Sequence, residues 1–292
     1  MGEIGDTHED LGGSSFIENL MARPIGHLRE QFLVRQRAVP TGLLDALDAD
    51  PRRGARDLAR LIRERRRKNR VEGQRLHLLL QYELDLWANG FTLIAGVDEA
   101  GMAPLAGPVV AAAVILPKSY KLRGLDDSKK ILEERSREAL AECIKRDSIG
   151  FSVGVADVDD IDRVNIYHAG LLAMRRAVEG LAPCPEYVLV DARRIPHCTI
   201  PQRGIVRGDQ LSATIAAASI IAKTDRDRRM ADFDSLYPGY GFASHKGYPT
   251  PDHCRLLKEL GPTPIHRRSF APVRRALGLD TPLFAACEDP IG

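Results

Sequence analysis

Two acids, Asp98 and Glu99, stand where the apolar run "LIAGVD" meets the glycine- and proline-rich stretch "EAGMAPLAGP". A second apolar run, "YVLVD", ends in Asp191, and Asp209 follows 18 residues later, just ahead of "QLSATIAAASIIAKTDRDRR". If the two runs are neighbouring strands, both strand-end acids emerge at one edge of a sheet. Asp209 faces the same edge when the helix after it packs on that sheet. Unpaired, such a group of carboxylates repels itself and raises its own pKa values, so it calls for cations. An all-oxygen set suits Mg²⁺ or Mn²⁺ rather than zinc. Each acid also has a structural reading: Asp209 as a helix cap, Asp98 and Asp191 as ordinary strand ends, Glu99 as a turn residue. Spacing alone leaves both readings open.

The elements that would position these acids begin after residue 90, where short apolar runs alternate with amphipathic segments in the manner of an α/β domain. Strands are expected at 92–98, 108–116, 149–155, 187–191 and about 203–207, the first three able to form a meander. Helices are expected near 165–180 and 210–233, with helix and loop beyond. Upstream, 50–90 reads as two helices or one broken helix. Asp50 can cap, Pro51 sits at the first helical position, Leu58, Leu61 and Ile62 share a face, and Asn89-Gly90 stops the run. Residues 52–75 hold eleven Lys or Arg against Asp57, Glu64 and Glu72, a basic stripe centred on "RERRRKNR". It reads equally as a solvated face or as a contact for nucleic acid.

Composition bounds the rest. With 292 residues, 44% hydrophobic and 28% charged, the chain is long enough for one large globular domain with an appendage, and its low aromatic content suits helices packed over a sheet. The net charge of +2 is uninformative beside its distribution. Cysteines at 143, 184, 198, 254 and 287 form no C-x-x-C pair and are odd in number, so neither a zinc site nor a disulfide framework is suggested; a cytoplasmic protein is expected. The first 20 residues are acidic, without the apolar centre of a signal peptide, and read as a mobile tail. The apolar stretch 103–117 is too short to span a bilayer, so no membrane association is expected.

Seven blocks in one order carry a resemblance: "GVDEAGMAPLAGPVVAAAVIL", "DDSKKI" at 126–131, "VNIYHAG" at 164–170, "LVDA" at 189–192, "RGDQLSATIAAASIIAKTDRDRRM" at 207–230, "YPGYGFASHKGYPT" at 237–250 and "GPTPIHRRSFAPV" at 261–273. Together they closely resemble ribonuclease HII over about residues 92–275, and the basic segment before them resembles the helical extension of some bacterial members. The resemblance implies a ribonuclease H-like fold: a mixed five-stranded sheet flanked by helices, after a helical N-terminal extension. The implied division is a disordered tail at 1–22, a basic extension at 23–90, a catalytic domain at 91–278 and a C-terminal tail at 279–292.

The activity implied is metal-dependent endonucleolytic cleavage of RNA in RNA–DNA hybrids, or at single ribonucleotides embedded in duplex DNA, leaving 5′-phosphate and 3′-hydroxyl ends. The family's four catalytic and metal-binding acids fall on Asp98, Glu99, Asp191 and Asp209, with two Mg²⁺ or Mn²⁺ ions as cofactors. For substrate, the resemblance implies Tyr248 against a deoxyribose, Ser128, Lys129 and Lys130 near phosphates, and Lys223, sharing a helix face with Ser219, reaching a phosphate or balancing the acids. Asn165 is expected to cap a helix, and His245, His266, Arg267 and Arg268 either line the groove or serve structure. The family's Gly-Arg-Gly turn reads Gly101-Met102-Ala103 here, so a charge-assisted contact worth about 2 kcal/mol is expected to be missing. If position 103 needs positive φ, Ala103 adds a cost of about 1 kcal/mol. A hybrid-binding protein without turnover is the alternative, although a mere binder gains nothing from acids grouped beside a polyanion. A nucleotide-binding protein is disfavoured, because "GMAPLAG" matches neither common phosphate-loop fingerprint. A monomer is expected.

Overall fold

The computed structural model describes residues 14–118, 120–128, 131 and 133–279. Contacts divide the chain into two units between Arg75 and Leu76. The first unit holds α1 (Ser14–Met21), α2 (Ile25–Arg29), a π-helical turn (Glu30–Val34), α3 (Leu43–Ala49) and most of α4 (Arg53–Leu79). Leu20, Leu28, Phe32, Leu43, Leu47, Leu58 and Ile62 form its core. Residues 14–21 are therefore helical where an irregular tail was expected. Ile17, Leu20 and Met21 recur at helical spacing and pack on that core. Asp50 closes a short turn onto the Arg52 amide at 2.8 Å, and the helix itself starts at Arg53.

The second unit runs α5 (Gln81–Ala88), β1 (Ile94–Ala100), β2 (Val109–Ile115), α6 (Glu134–Asp147), β3 (Gly150–Ala156), α7 (Val158–Glu179), β4 (Tyr187–Asp191) and β5 (Gln202–Ile205). It continues through α8 (Gly208–Leu211), α9 (Ala213–Leu236), α10 (Phe242–His245), α11 (Pro251–Leu260) and α12 (Ala271–Ala276). All five expected strands are present, in the order β3-β2-β1-β4-β5. The first three form the antiparallel meander; β1 and β4 are parallel, as are β4 and β5.

Side chains alternate across this sheet. Ala95, Val97, Val188 and Val190 pack with Ala173, Met174 and Ala177 of α7 on one face, whereas Ile94, Ala112, Val114 and Leu189 pack with Ile220 and Ile221 of α9 on the other. β1 and α9 approach so closely that a Cβ on Gly96 would collide with the Thr214 carbonyl. The contacts divide the chain at residue 75, and Leu76, Leu79, Leu80 and Trp87 belong to the α9-side core. From α5, buried Glu83 accepts from the Ser212 hydroxyl at 2.6 Å and from the Thr214 amide and hydroxyl at 2.9 and 2.8 Å. This carboxylate fixes the start of α9, and burial raises its pKa.

Candidate active site

In the parallel pair β1–β4 the last register partners are Val97 and Val190. One residue further on, both strands place an aspartate. Parallel strands end at the same sheet edge, so Asp98 and Asp191 emerge together, and the period of two turns both toward α9. Glu99 is turned to the opposite face, over α7. Asp98 is buried, accepts the Glu99 amide at 2.7 Å, and has the Ser219 side chain of α9 as a polar neighbour that favours its charged form. Burial, then the charges of Glu99 and Asp191, raise its pKa well above the usual carboxylate range.

Asp191 accepts the Gly208 amide at 2.7 Å, which brings buried Asp209, the next residue, to the same corner ahead of α9. Two residues there adopt left-handed backbone, Ala192 at φ 50° and Arg207 at φ 58°. Such conformations persist only where their surroundings enforce them. Glu99 pairs with Arg193, 3.3 Å away. Among the described residues no three Asp, Glu, His or Cys side chains are grouped so as to hold a metal ion. The donor set is all oxygen, and the mutual charge that burdens Asp98 is what a divalent cation relieves.

The turn after these acids is built from inside. Gly101 has φ 97°, and a Cβ there would collide with the Arg226 side chain. Ala103 is exposed and avoids the left-handed region, so the strain expected at this position is not present. Arg267 is completely buried and donates to the carbonyls of Gly101 (2.6 Å), Met102 (3.1 Å), Pro104 (2.7 Å) and Gly107 (2.9 Å). Arg226, equally buried, donates to Ala106, Pro108 and Lys246. Burial, then its like-charged neighbour Arg226, pushes the Arg267 pKa down to about 9. Arg267 thus frames the turn from within and does not line a groove.

The histidines are likewise structural. His245 receives the Gly247 amide on Nδ1 and bonds the Tyr240 carbonyl through Nε2, and its ring stacks on His253 at 4.2 Å. His253 bonds the Tyr248 carbonyl through Nδ1 and meets His266 nitrogen to nitrogen at 3.0 Å, while His266 Nδ1 receives the Thr263 amide. One consistent proton assignment satisfies every contact with all three rings neutral. Arg268 is exposed; its amide donates to Asp162.

The remaining residues fall as follows. Ser128 is buried with its hydroxyl 2.9 Å from that of Ser219. Lys129 and Lys130 lie outside the described residues. Lys223 pairs with Asp227 at 2.6 Å and lies 5.9 Å from the centre of the Tyr248 ring, so its charge is met by Asp227 rather than by the four acids. Tyr248 is 38% exposed, with Arg226 beneath its ring. Asn165 interrupts α7 with φ 67°, and its side chain caps the following segment through the His168 amide. Sequence reasoning missed Arg193, Glu83 and the Arg226–Arg267 frame; in "DARRIP" the only signal was a basic pair one residue beyond a strand-end acid.

Residues 95–273 match the family model described as Ribonuclease HII. The chain belongs to the ribonuclease HII family. The ribonuclease HII of Myxococcus xanthus is 64% identical over 91% of this chain and 90% of its own length, and that of an Anaeromyxobacter species 59% identical over 90% and 83%. The crystal structure of ribonuclease H2 from Pyrococcus horikoshii superposes with a TM-score of 0.54 at 26% identity, covering 63% of this chain and 96% of that one. As a member of the ribonuclease HII family, the chain is an RNase H-type endoribonuclease with the expected fold. None of its described helices is long and apolar enough to cross a membrane.

Proposed function

We propose that Asp98, Glu99, Asp191 and Asp209 carry cleavage of RNA within RNA–DNA hybrids, and at single ribonucleotides in duplex DNA, leaving 5′-phosphate and 3′-hydroxyl ends. The observation that carries the reading is buried Asp98, beside Asp191 across the β1–β4 pair and burdened by the charges of Glu99 and Asp191. The four carboxylates would hold two Mg²⁺ or Mn²⁺ ions, which supply an activated water and stabilise the leaving 3′-oxygen. Ser219 orients Asp98 from α9, and Ser128 steadies Ser219. Tyr248 offers its exposed ring to a sugar, the turn 101–103 approaches the 2′-hydroxyl that distinguishes RNA from DNA, and Lys129 and Lys223 supply charge near phosphates.

A second reading, a hybrid-binding protein without turnover, draws on Met102, an uncharged residue in the turn. One experiment separates the two. Labelled hybrid and a duplex with one embedded ribonucleotide are titrated with Mg²⁺ and with Mn²⁺, and the ends are mapped. The nuclease reading requires cleavage that saturates with metal; binding without cleavage in either metal supports the second reading.

The first unit extends the footprint on the duplex. Its α4 carries the basic stripe, and although Arg60, Lys68 and Arg75 pair with Asp57, Glu64 and Glu72, the surplus of positive charge remains. The protein works in the cytoplasm as a monomer; light scattering at the 32.2 kDa of one chain would agree, and twice that mass would not.

A further inference from the structure

The loop after β4 carries a guanidinium that the roles above do not use. Ala192, with φ 50°, turns the chain directly after Asp191, and Arg193 folds back over the site. Its side chain is 22% exposed. Three features hold it. Nη2 lies 3.3 Å from Glu99 Oε1, the guanidinium sits 5.3 Å over the Tyr167 ring, and Nη1 lies above Gly170 of α7, where a Cβ would stand only 2.8 Å from it. Nη1 is buried and has no hydrogen-bond partner among the described residues. The thioether of Met102 reaches the same place from the turn, with Sδ 3.0 Å from the same point above Gly170.

Neutralising Glu99 does not account for this arrangement. A guanidinium tuned to a carboxylate makes bonds of about 2.7–2.9 Å, often two in parallel. Here the one contact is longer, and a second donor is held ready with nothing to receive it, a costly state for a buried N–H. A planar fork with one arm on a carboxylate ligand and the other uncommitted matches an anionic oxygen arriving beside that carboxylate. The thioether of Met102 borders the same point above Gly170, on an unbranched side chain that can move aside.

We propose that Arg193 is a phosphate contact for the nucleic acid, with Met102 as the movable neighbour of its free arm. The turn carries uncharged Met102, and the guanidinium beside Gly170 comes from position 193. The inference rests on the nuclease reading for the identity of the anion, a backbone phosphate of the substrate.

The test measures hybrid binding with EDTA present, where turnover cannot intervene, as a function of salt for wild type, Arg193→Gln, Arg193→Lys, Met102→Arg and Arg193→Gln with Met102→Arg. Removing the contact should weaken binding about ten-fold or more, and the slope of log affinity against log salt should fall by about 0.9, the loss of one phosphate. Arg193→Lys should keep the slope while losing part of the affinity. Met102→Arg should gain nothing alone, because two guanidinium groups would crowd one place, yet restore both affinity and slope when Arg193 is Gln. Wild-type affinity and slope in Arg193→Gln would overturn the proposal, as would a gain from Met102→Arg as large with Arg193 present as without it. Failure of the nuclease reading shows separately, as wild type that binds hybrid but cleaves it in neither metal.

Discussion

Ser128 and Ser219, 91 residues apart in sequence, place their hydroxyls 2.9 Å from each other, and the Ser219 side chain in turn neighbours buried Asp98 and favours its charged form. Ser128 is thereby linked, through Ser219 of α9, to the surroundings of the carboxylate at the end of β1. Outer partners of this kind set the orientation of a ligand, and their loss typically costs about 10–100-fold in metal affinity or activity. Ser219→Ala should therefore lower hybrid cleavage at subsaturating Mn²⁺ by that range, and Ser128→Ala by less. Equal activity in Ser219→Ala and wild type across the Mn²⁺ titration would remove Ser219 from the site.

Arg267 binds at least four carbonyls of the turn from a fully buried position. Truncation to Ala leaves those carbonyls without their donor, and each buried, unsatisfied polar group costs about 1–3 kcal/mol. Denaturant unfolding of Arg267→Ala should show a loss above about 3 kcal/mol, with Arg268→Ala, at an exposed neighbour, close to wild type. Comparable stability of both variants would mean that the frame contributes little.

The buried pair His253–His266 makes stability depend on pH. Burial, then His253, lowers the His266 pKa from 6.5 to about 4, and burial lowers that of His253. The titratable groups that bear on His266 are His253 and His245. Because the folded-state values lie below the unfolded ones, the unfolded chain takes up protons first as pH falls. This stabilisation is full above pH 6.5 and is lost progressively down to about 4. Unfolding free energy measured from pH 7.5 to 4 should fall through that window for wild type, and more gently for His266→Gln, which starts lower. Identical slopes for the two proteins would contradict the assignment.

Removing residues 1–75 should weaken duplex binding and flatten its salt dependence while leaving the single-turnover rate at saturating enzyme nearly intact. A cut at residue 88 instead takes away Glu83 and Trp87, and with them the anchor of α9, so that variant should lose stability as well. An unchanged salt slope after removal of 1–75 would count against a nucleic-acid role for α4.

Strands and their terminal acids were legible because an apolar run that stops on a carboxylate records both burial and exposure at a sheet edge. The parallel pairing of β1 with β4 follows from the crossover through α7, and α9 from its alanine-rich face. The charged interior was not legible. Arg226 and Arg267 are satisfied by backbone carbonyls and Glu83 by a helix start, partners that leave no mark in side-chain periodicity. Arg193 was hidden for a related reason, since its position depends on the left-handed turn at Ala192, a residue that ordinarily avoids that conformation. Helix α1 was missed because eight residues gave too short a pattern among glycines, serines and acids.

In the proposed mechanism Asp98, Glu99, Asp191 and Asp209 share two divalent ions. Anomalous scattering from crystals soaked in Mn²⁺ with a hybrid bound addresses it directly. Two peaks, roughly 4 Å apart and ringed by these four carboxylates, are the result expected. Manganese bound at other side chains, with the β1 and β4 ends bare, would contradict it.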